Sequence, residues 1–333
     1  MPAQQRMNEL VDACGRAITY LRVSVTDRCN LRCVYCMPEE GVALRSHAEI
    51  LRYEEIERVV RVAVEMGVMH VRLTGGEPLV RAGIADLVRL LTAIPGLDDL
   101  AMTTNGTRLA EFAAPLAQAG LRRVNVSLDT LRPERFHTMT RRGNLADVLQ
   151  GLVAARVAGL SPIKLNVVVV KGINDDEVVD FARRTLDEGW HVRFIEVMPL
   201  GESANAGEEY VPSQEIRRRI EAALGPLEPT ELAGSGPARY VRLAGAAGTI
   251  GFISPLSEHF CSACNRLRLT ADGKLMPCLF SDLELDLRTP LRAGADDAAL
   301  RNLFLQALAI KPRGHRLAER QIPRGRCMSR VGG

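Results

Sequence analysis

The sequence has few aromatic residues, no long hydrophobic run and little net charge. Aromatic side chains make up 4% of the 333 residues, which is low for a surface that stacks single-stranded nucleic acid. No run approaches the roughly 18 apolar residues of a membrane-spanning helix, and Met1 to Asn8 lack the apolar segment of a signal peptide. We therefore expect a cytoplasmic protein with an aliphatic core and with neither a membrane nor a nucleic acid as its partner.

The net charge of +3 is unevenly distributed along the chain. From Lys311 to the last residue there are seven Lys or Arg against one acidic residue, Glu319, so this basic tail carries +6 and residues 1–310 carry −3. Such a tail could bind nucleic acid, or it could serve a polyphosphate ligand inside the protein.

The eight cysteines are too few for a disulfide scaffold at this length, and six of them form two groups of three. Cys29, Cys33 and Cys36 follow the spacing Cys-x3-Cys-x2-Cys on one predicted loop. Thiolates favour zinc, copper(I) or iron–sulfur clusters, and a cubane cluster normally takes four cysteines. Three cysteines leave one iron open to a small molecule, as a catalytic site requires. A zinc loop with a distant fourth ligand is the alternative, and Cys14 and Cys327 are interpreted as incidental or buried thiols.

A second cysteine group occurs towards the carboxyl terminus. Its members, spaced Cys-x2-Cys-x13-Cys, are Cys261, Cys264 and Cys278. On spacing alone, a zinc site completed by His259 is the more common use of such a group. The predicted strand after this loop, however, carries Arg266 and Arg268 on one face, and guanidinium groups suit phosphates. A metal beside a phosphate clamp indicates a substrate site.

The chain from Leu21 to Val197 alternates between predicted strands and helices. Six strand–helix units in a row predict a parallel sheet with right-handed crossovers, and six units instead of eight predict an incomplete (β/α)6 barrel of the TIM type. Polar segments, the first cysteine group among them, follow the carboxyl ends of these strands, where such barrels gather their working groups. The last of the crossover helices is predicted to open at a capping box of Asn174 and Glu177.

After Leu200 the pattern changes, and we predict three regions. Residues 1–200 form the partial barrel, residues 201–237 a connecting helix and linker, and residues 238–333 a smaller α+β extension that carries the second cysteine group. Within the extension, Asp272-Gly273 predicts a hairpin turn.

The first cysteine group, with Tyr35 directly before its third member, resembles the signature of the radical S-adenosylmethionine (SAM) superfamily. Gly75-Gly76-Glu77-Pro78, at a predicted strand end, resembles the stretch that holds the SAM amino group there, although Gly-Gly before Pro is by itself typical of an ordinary turn. The resemblance implies a [4Fe-4S] cluster whose open iron chelates SAM. Once reduced, such a cluster splits the sulfonium C–S bond and leaves a 5'-deoxyadenosyl radical.

From Arg22 to Gly332-Gly333 the whole sequence is similar to the family of GTP 3',8-cyclases of molybdenum cofactor biosynthesis. The resemblance implies two oxygen-sensitive [4Fe-4S] clusters in an incomplete barrel, the first for SAM and the second holding the guanine of GTP at its open iron. It also implies that the deoxyadenosyl radical removes the ribose 3' hydrogen and that the resulting carbon radical attacks C8 of the base. The product would be 3',8-cyclo-7,8-dihydro-GTP.

The resemblance assigns residues of this chain to three kinds of site. The first cluster would be held by Cys29, Cys33 and Cys36, and the second by Cys261, Cys264 and Cys278. The SAM positions are Tyr35, Gly76, Ser127 and Met198. The GTP positions are Arg22, Arg72, Thr103, Lys164, Arg266, Leu267 and Arg268, with Arg193 as a further candidate for the triphosphate. One departure is His70, which stands where many relatives carry a lysine.

The resemblance also implies partners: GTP as substrate, an electron donor of flavodoxin or ferredoxin type, a downstream cyclic pyranopterin synthase that takes the product, and a homodimer as a candidate assembly. Two other functions stay open, a radical SAM peptide maturase with an auxiliary cluster and a zinc protein whose basic tail grips nucleic acid. Because a carbon radical must be shielded from water, we expect the basic tail and Gly332-Gly333 to thread into the barrel mouth. A loose, solvated tail is the alternative.

Overall fold

A computed structural model of the chain describes residues 10–200, 210–232, 234, 236–317 and 328–332. The predictions that concern Cys327, Gly333 and residues 318–327 of the basic tail lie outside the described residues. Within the described part of the chain, no helix is long and apolar enough to cross a bilayer.

Six parallel strands form the centre of the sheet, and they lie side by side in chain order. They are β1 (Tyr20–Ser24), β2 (His70–Thr74), β3 (Asp99–Thr104), β4 (Arg123–Ser127), β5 (Lys164–Val169) and β6 (His191–Glu196). Each pairs in parallel with the next. Successive right-handed strand–helix units produce this order, so the predicted (β/α)6 arrangement is confirmed.

Helices occupy the connections between these strands. They are α1 (Tyr53–Glu65), α2 (Ile84–Thr92), α3 (Leu109–Gln118), α4 (Pro133–Thr140), α5 (Leu145–Val157) and α6 (Val178–Asp187). Helix α1 illustrates their origin: Ile56, Val59, Val60 and Ala63 recur at helical spacing and are fully buried against the core. Gly67, with a φ of +113°, then allows the chain to leave the helix. Helix α4 was not predicted.

The predicted capping box at the start of α6 is wrong. Helix α6 begins after Glu177, whose carboxylate accepts hydrogen bonds from Thr130 Oγ1 at 2.6 Å and from Leu131 N at 2.7 Å. The Asn174 side-chain amide donates to Asp129 O at 2.7 Å. Both side chains therefore join the segments that follow β4 and β5, and these long-range bonds replace the local cap.

The other elements come from the carboxyl-terminal part of the chain. They are α7 (Ser213–Leu224), β7 (Leu227–Thr230), β8 (Arg239–Leu243), β9 (Thr249–Ile253), β10 (Arg266–Leu269), β11 (Lys274–Met276), β12 (Leu285–Asp286), α8 (Arg288–Arg292), α9 (Asp297–Ala309) and α10 (Met328–Val331). The predicted turn at Asp272-Gly273 joins β10 to β11 as expected, and Gly273 supplies the positive φ, +81°, that the turn requires.

Strands of this carboxyl-terminal part extend both edges of the six-stranded centre. Strand β9 pairs in parallel with β6, and β10 pairs in parallel with β1, which places Arg268 opposite Arg22. The complete order is β12-β11-β10-β1-β2-β3-β4-β5-β6-β9-β8-β7. Both cysteine groups are therefore attached to one continuous sheet, with the loop of the first following β1 and the loop of the second preceding β10. The region boundaries at residues 200 and 237 stay a prediction.

Candidate active site

The first cysteine group opens onto a cavity at the carboxyl ends of the parallel strands, here called the Cys29 cavity. All four residues matched to SAM contribute to its wall. Its lining includes Cys29, Cys33, Tyr35, Cys36, Gly75, Gly76, Glu77, Thr103, Ser127, Asn166, Ile195, Met198 and Met328. The three thiols are half-buried, and this cavity is where a cluster bound by them would meet a small molecule.

Backbone hydrogen bonds hold the first cysteine loop in place. Cys36 N donates to Cys33 O at 2.9 Å, and Arg32 N and Val34 N donate to the α4 carbonyls of Thr140 and Met139, each at 2.9 Å. Helix α4, which sequence reasoning missed, is thus the support of the loop. Its signal in the sequence was the pair Phe136 and Met139, both buried, three residues apart.

Gly76 lets the segment after β2 pack directly against the cysteine loop. A Cβ atom at this position would lie 2.3 Å from Arg28 O, so a larger residue would push the segment after β2 away from the cysteine loop. The next residue, Glu77, accepts hydrogen bonds from Thr104 Oγ1 at 2.7 Å and Asn105 N at 2.6 Å. Its burial raises the pKa of the carboxyl group to about 7.

The surroundings of the first thiols disfavour added negative charge. Burial raises the pKa of Cys33 well above its ordinary value, and Cys36 and Asp129 add to the effect. Burial likewise raises the pKa of Cys29 to about 11, with Glu77 contributing. Because these thiols stay protonated at neutral pH, they become ligands only when a metal replaces the proton. Tyr35 is fixed beside them by a 2.6 Å hydrogen bond from its hydroxyl to Asp129 Oδ2.

The second cysteine group opens onto a different cavity, here called the Cys261 cavity. Its wall combines thiols, aromatic rings and five guanidinium groups. The lining includes Tyr20, Arg22, Arg72, Asn166, Arg193, Ile195, Met198, Phe260, Cys261, Cys264, Arg266, Arg268, Cys278, His315 and Met328. Strands β1, β2, β6 and β10 each carry at least one of these arginines, so residues far apart in the sequence converge on one space.

Burial disfavours the charged form of several arginines of this cavity. Burial lowers the pKa of Arg193 and of Arg268 to about 10 in each case. Among the described residues, the Nε atoms of Arg72 and Arg193 are buried without a hydrogen-bond partner. Buried cations normally pair with anions, so the cavity is suited to a polyanionic ligand such as a triphosphate.

The two cavities adjoin each other. Four residues contribute to the walls of both, namely Asn166, Ile195, Met198 and Met328. The two cysteine groups therefore face a shared interior, and a ligand in one cavity can touch a ligand in the other.

Three residues matched to GTP lie elsewhere. Thr103 lines the Cys29 cavity. Leu267 is a core residue, 1% exposed, so its side chain packs inward and only its backbone can face a ligand. Lys164 is also buried, with Nζ 5.5 Å from the centre of the Tyr240 ring, and burial together with Arg193 lowers its pKa to about 7. Lys164 lines neither cavity, and burial disfavours its ammonium form in the free protein.

The described end of the tail, residues 328–332, lies against the carboxyl ends of β1 and β2. Arg268 Nη1 donates to Gly332 O, and a Cβ atom at Gly332 would lie 2.3 Å from Thr74 Oγ1. Arg330 Nη2 donates to Ala43 O at 3.1 Å. The expectation that the tail threads into the barrel mouth is therefore met for these residues, and Met328 becomes part of both cavity walls.

The zinc alternative can be tested on the geometry. Within the part of the chain that the structure describes, no group of three or more His, Cys, Asp or Glu side chains is placed to hold a single metal ion. His259 Nδ1 lies 3.1 Å from both Pro255 O and His315 Nε2. The Nδ1 atom of His259 therefore lies beside groups other than the three thiols.

Sequence reasoning missed two buried cations beside the second cysteine group. Arg16 Nη1 donates to Cys261 O at 2.8 Å, and Lys311 Nζ lies 3.6 Å from Cys264 Sγ. Both are far from the group in the chain and belong to no motif, so only the fold reveals them.

Two family models match the chain. The model of the radical SAM superfamily matches residues 23–185, and the model described as Molybdenum Cofactor Synthesis C matches residues 190–317. The first match runs from the end of β1 into α6, and the second includes β6, the strands that extend the six-stranded centre and the second cysteine group.

Curated relatives match along nearly the entire chain. The GTP 3',8-cyclase of Pelotomaculum thermopropionicum is 56% identical over 324 residues, which is 97% of this chain and 99% of the relative. The GTP 3',8-cyclase of Moorella thermoacetica is 54% identical over 323 residues, again 97% of this chain and 99% of the relative.

Solved structures share the fold at low identity. Streptococcus suis SuiB bound to precursor peptide SuiA superposes with a TM-score of 0.63 at 13% identity, covering 89% of this chain and 65% of that one. Native anSMEcpe with bound AdoMet gives 0.58 at 15% identity, covering 91% and 82%. These likenesses concern the arrangement of strands and helices alone.

Proposed function

This chain belongs to the GTP 3',8-cyclase family of radical SAM proteins, and from that premise we propose how its two cavities divide the reaction. The protein converts GTP to (8S)-3',8-cyclo-7,8-dihydroguanosine 5'-triphosphate, the first step of molybdenum cofactor biosynthesis, with SAM and two [4Fe-4S] clusters as cofactors. The assignment of SAM to one cavity and GTP to the other rests on the residues that line them. The Cys29 cavity combines a cysteine group with Gly75 and Gly76, and the adjoining Cys261 cavity combines a cysteine group with five arginines.

In this proposal the Cys29 cavity binds SAM. Cys29, Cys33 and Cys36 would hold the first cluster, which when bound would supply the electron for cleavage of SAM to methionine and the 5'-deoxyadenosyl radical. The lack of a side chain at Gly76 lets the segment after β2 lie against the cysteine loop, so that its backbone would face the amino acid part of SAM. Tyr35, Ser127 and Met198 complete the walls of the cavity.

The Cys261 cavity binds GTP in this proposal. Cys261, Cys264 and Cys278 would hold the second cluster, which when bound would supply a coordination position for the guanine. Arg22, Arg72, Arg193, Arg266 and Arg268 receive the triphosphate, and their buried charges offset its four negative charges without reorganisation. Lys164 adds its charge from behind the wall. Since Met198 and Asn166 line both cavities, the ribose of GTP would lie at their junction, within reach of the radical.

The tail closes the site in this proposal. Its last turn, α10, packs Ser329 and Val331 at 2% and 4% exposure, and Gly332 brings its carbonyl to Arg268. This contact connects the end of the chain to Arg268, one of the arginines proposed to bind the triphosphate. A closed mouth excludes water and hydrogen donors from the carbon radical.

A peptide maturase is the second candidate, because peptide-modifying radical SAM proteins share the fold. The five arginines that line the Cys261 cavity count against it, since a neutral peptide backbone would leave their charge uncompensated. The curated relatives favour the nucleotide as well.

We further propose partners that the reaction requires. Reduction of the first cluster calls for an electron donor of flavodoxin or ferredoxin type, and the cyclic product would pass to a cyclic pyranopterin synthase. Oxygen-sensitive clusters and reduced thiols favour a cytoplasmic location. A homodimer is our proposed assembly.

The proposed function is tested with anaerobically purified protein. Two clusters predict iron and sulfide contents near eight of each per chain, on the basis of two cubanes held by cysteine. Incubation with SAM and dithionite should then release more 5'-deoxyadenosine in the presence of GTP than in its absence. Zinc without iron, or 5'-deoxyadenosine release that responds to peptides and not to GTP, would overturn the proposal.

A further inference from the structure

Lys311 lies directly behind the second cysteine group. It is 5% exposed, and its ammonium donates to Arg266 O at 2.9 Å, to Pro277 O at 2.6 Å and to Cys264 Sγ at 3.6 Å. An ammonium has three donors, and these three contacts use all of them. Lys311 does not line the Cys261 cavity, so its position does not make it a contact for the nucleotide.

These contacts connect the two arms that carry the ligands. Arg266 follows Cys264 by two residues at the start of β10, and Pro277 directly precedes Cys278 at the end of the hairpin. A single side chain thus sets the separation of Cys264 and Cys278 through their neighbouring carbonyls. Arg16 fixes the third ligand segment in a similar way, through Cys261 O at 2.8 Å and Pro312 O at 2.8 Å.

Lys311 differs from Arg16 because it also reaches a sulfur atom. A cluster held by thiolates is anionic and becomes more so on reduction, and hydrogen bonds or cations at its sulfur ligands stabilise the reduced form. Among the described residues, the guanidiniums of Arg16, Arg266 and Arg268 also lie near this group, and Cys264 Sγ is the one sulfur there for which a contact with Lys311 is found.

We propose that Lys311 is a positioning residue that holds Cys264 and Cys278 at cluster spacing and sets the reduction potential of the second cluster through its contact with Cys264 Sγ. This inference rests on the proposed function to the extent that the second cysteine group binds a cluster. Lys311 lines neither cavity, yet in this proposal it influences whether the second cluster is oxidised or reduced.

The test uses the full chain with Cys29→Ala, Cys33→Ala and Cys36→Ala, so that only the second group can hold a cluster. Lys311→Met, Lys311→Arg and the matched control Lys171→Met, which removes an exposed lysine, are compared in this background. Iron content is measured first, and the midpoint potential is then followed by electron paramagnetic resonance during a redox titration. We expect Lys311→Met to shift the potential to a more negative value, Lys311→Arg to restore most of the shift, and Lys171→Met to leave it unchanged.

A loaded Lys311→Met cluster at the parent potential would overturn the inference, and so would an equal shift in Lys171→Met. If Lys311→Met takes up no iron, the Lys311→Arg variant provides the test. A Lys311→Arg cluster at the parent potential would support the role of the cation. Loss of that cluster, or a strongly displaced potential, would contradict it. Thermal unfolding of the iron-free chains identifies a variant that has lost its fold. Absence of any iron–sulfur signal in the parent chain would instead overturn the proposed function of the second group and is therefore a separate outcome.

Discussion

Cys33 and Cys264 are half-buried thiols, each in a group of three, yet their ionisation is shifted in opposite directions. Burial raises the pKa of Cys33 well above its ordinary value, and Cys36 and Asp129 add to the rise. Burial also acts to raise the pKa of Cys264, but the charges of Arg266 and Lys311 outweigh it and lower that pKa to about 7. The first group thus lies among carboxyl groups and the second among cations.

This difference corresponds to the two tasks. Acidic surroundings disfavour additional negative charge on a cluster, so a reduced cluster at the first group is a stronger reductant, as cleavage of a sulfonium bond requires. Cationic surroundings at the second group attract a nucleotide with four negative charges and stabilise it once bound. The chain therefore uses the same ligand type for two chemistries and distinguishes them by neighbouring charge.

Removing one thiol from each group should have the largest effect and should separate the tasks of the two groups. Cys33→Ala should abolish both 5'-deoxyadenosine release and GTP conversion, because SAM cleavage depends on the first cluster. Cys264→Ala should abolish GTP conversion but leave SAM cleavage without GTP measurable. Both products are quantified by mass spectrometry with the iron content of each variant. Equal loss of SAM cleavage in Cys264→Ala, with the first cluster present, would contradict the division.

The tail contributes to the walls of both cavities, so a substitution at Gly332 tests whether the two cavities work as one site. In Gly332→Ala the new Cβ would lie 2.3 Å from Thr74 Oγ1, and the tail must move. We expect turnover to fall by about tenfold or more, which corresponds to roughly 1.4 kcal/mol in the barrier. The control Gly245→Ala has a comparable φ, +78°, and an open neighbourhood. It should lose about 1 kcal/mol of stability and keep its turnover. Equal turnover in the two variants would argue against closure by the tail.

Replacing a single arginine tests whether the cationic surroundings of the second cysteine group bind GTP and not SAM. Arg193→Met removes a buried guanidinium from the Cys261 cavity, and its loss should weaken GTP binding by about 10- to 100-fold, since a hydrogen bond to a charged group is worth about 1.5–3 kcal/mol. SAM affinity should not change. Arg239→Met, at an exposed position, is the matched control. Calorimetric titration measures both ligands, and parallel losses of SAM and GTP affinity would show that the cavities are not separate subsites.

The smallest expected effect is a dependence on pH. Burial first, and then Arg193, Arg123 and Arg72, lower the pKa of Lys164 from 10.5 to about 7. Between these values the unfolded chain binds a proton at Lys164 that the free folded protein lacks, so the free energy of unfolding rises with pH across this window. Negative charge from GTP favours the ammonium form.

GTP binding at pH 8 should therefore take up protons, and GTP affinity should decline from pH 7 to pH 9. Calorimetry in two buffers of different ionisation enthalpy measures the uptake, and Lys164→Met should remove it. Unchanged proton uptake in that variant would place the linked group elsewhere.

Much of the fold follows from patterns within short stretches of sequence. Ile56, Val59 and Val60 mark α1 by their period, and the spacing of Cys29, Cys33 and Cys36 marks the first cysteine loop, because ligands on one loop must be close in sequence. The hairpin at Asp272-Gly273 is equally local. These features depend on neighbours a few residues away, and so the sequence alone reveals them.

Features that depend on distant pairing were not predictable. The Glu177 carboxylate bonds to Thr130, 47 residues away, and this partner replaced the local cap. Lys311 and Arg16 reach the second cysteine group across 47 and 245 residues respectively. Leu267 lies between two cavity arginines but points into the core, a consequence of strand alternation that becomes clear only when β10 is placed beside β1.

The account is tested most directly with GTP that carries deuterium at C3' of the ribose. If the two cysteine groups bring SAM and GTP together in one interior, the deuterium must appear in 5'-deoxyadenosine formed during turnover. Arg193→Met should reduce this transfer as GTP binding weakens. Deuterium-free 5'-deoxyadenosine, formed together with a cyclic product that still carries the label, would contradict the arrangement of the site proposed above.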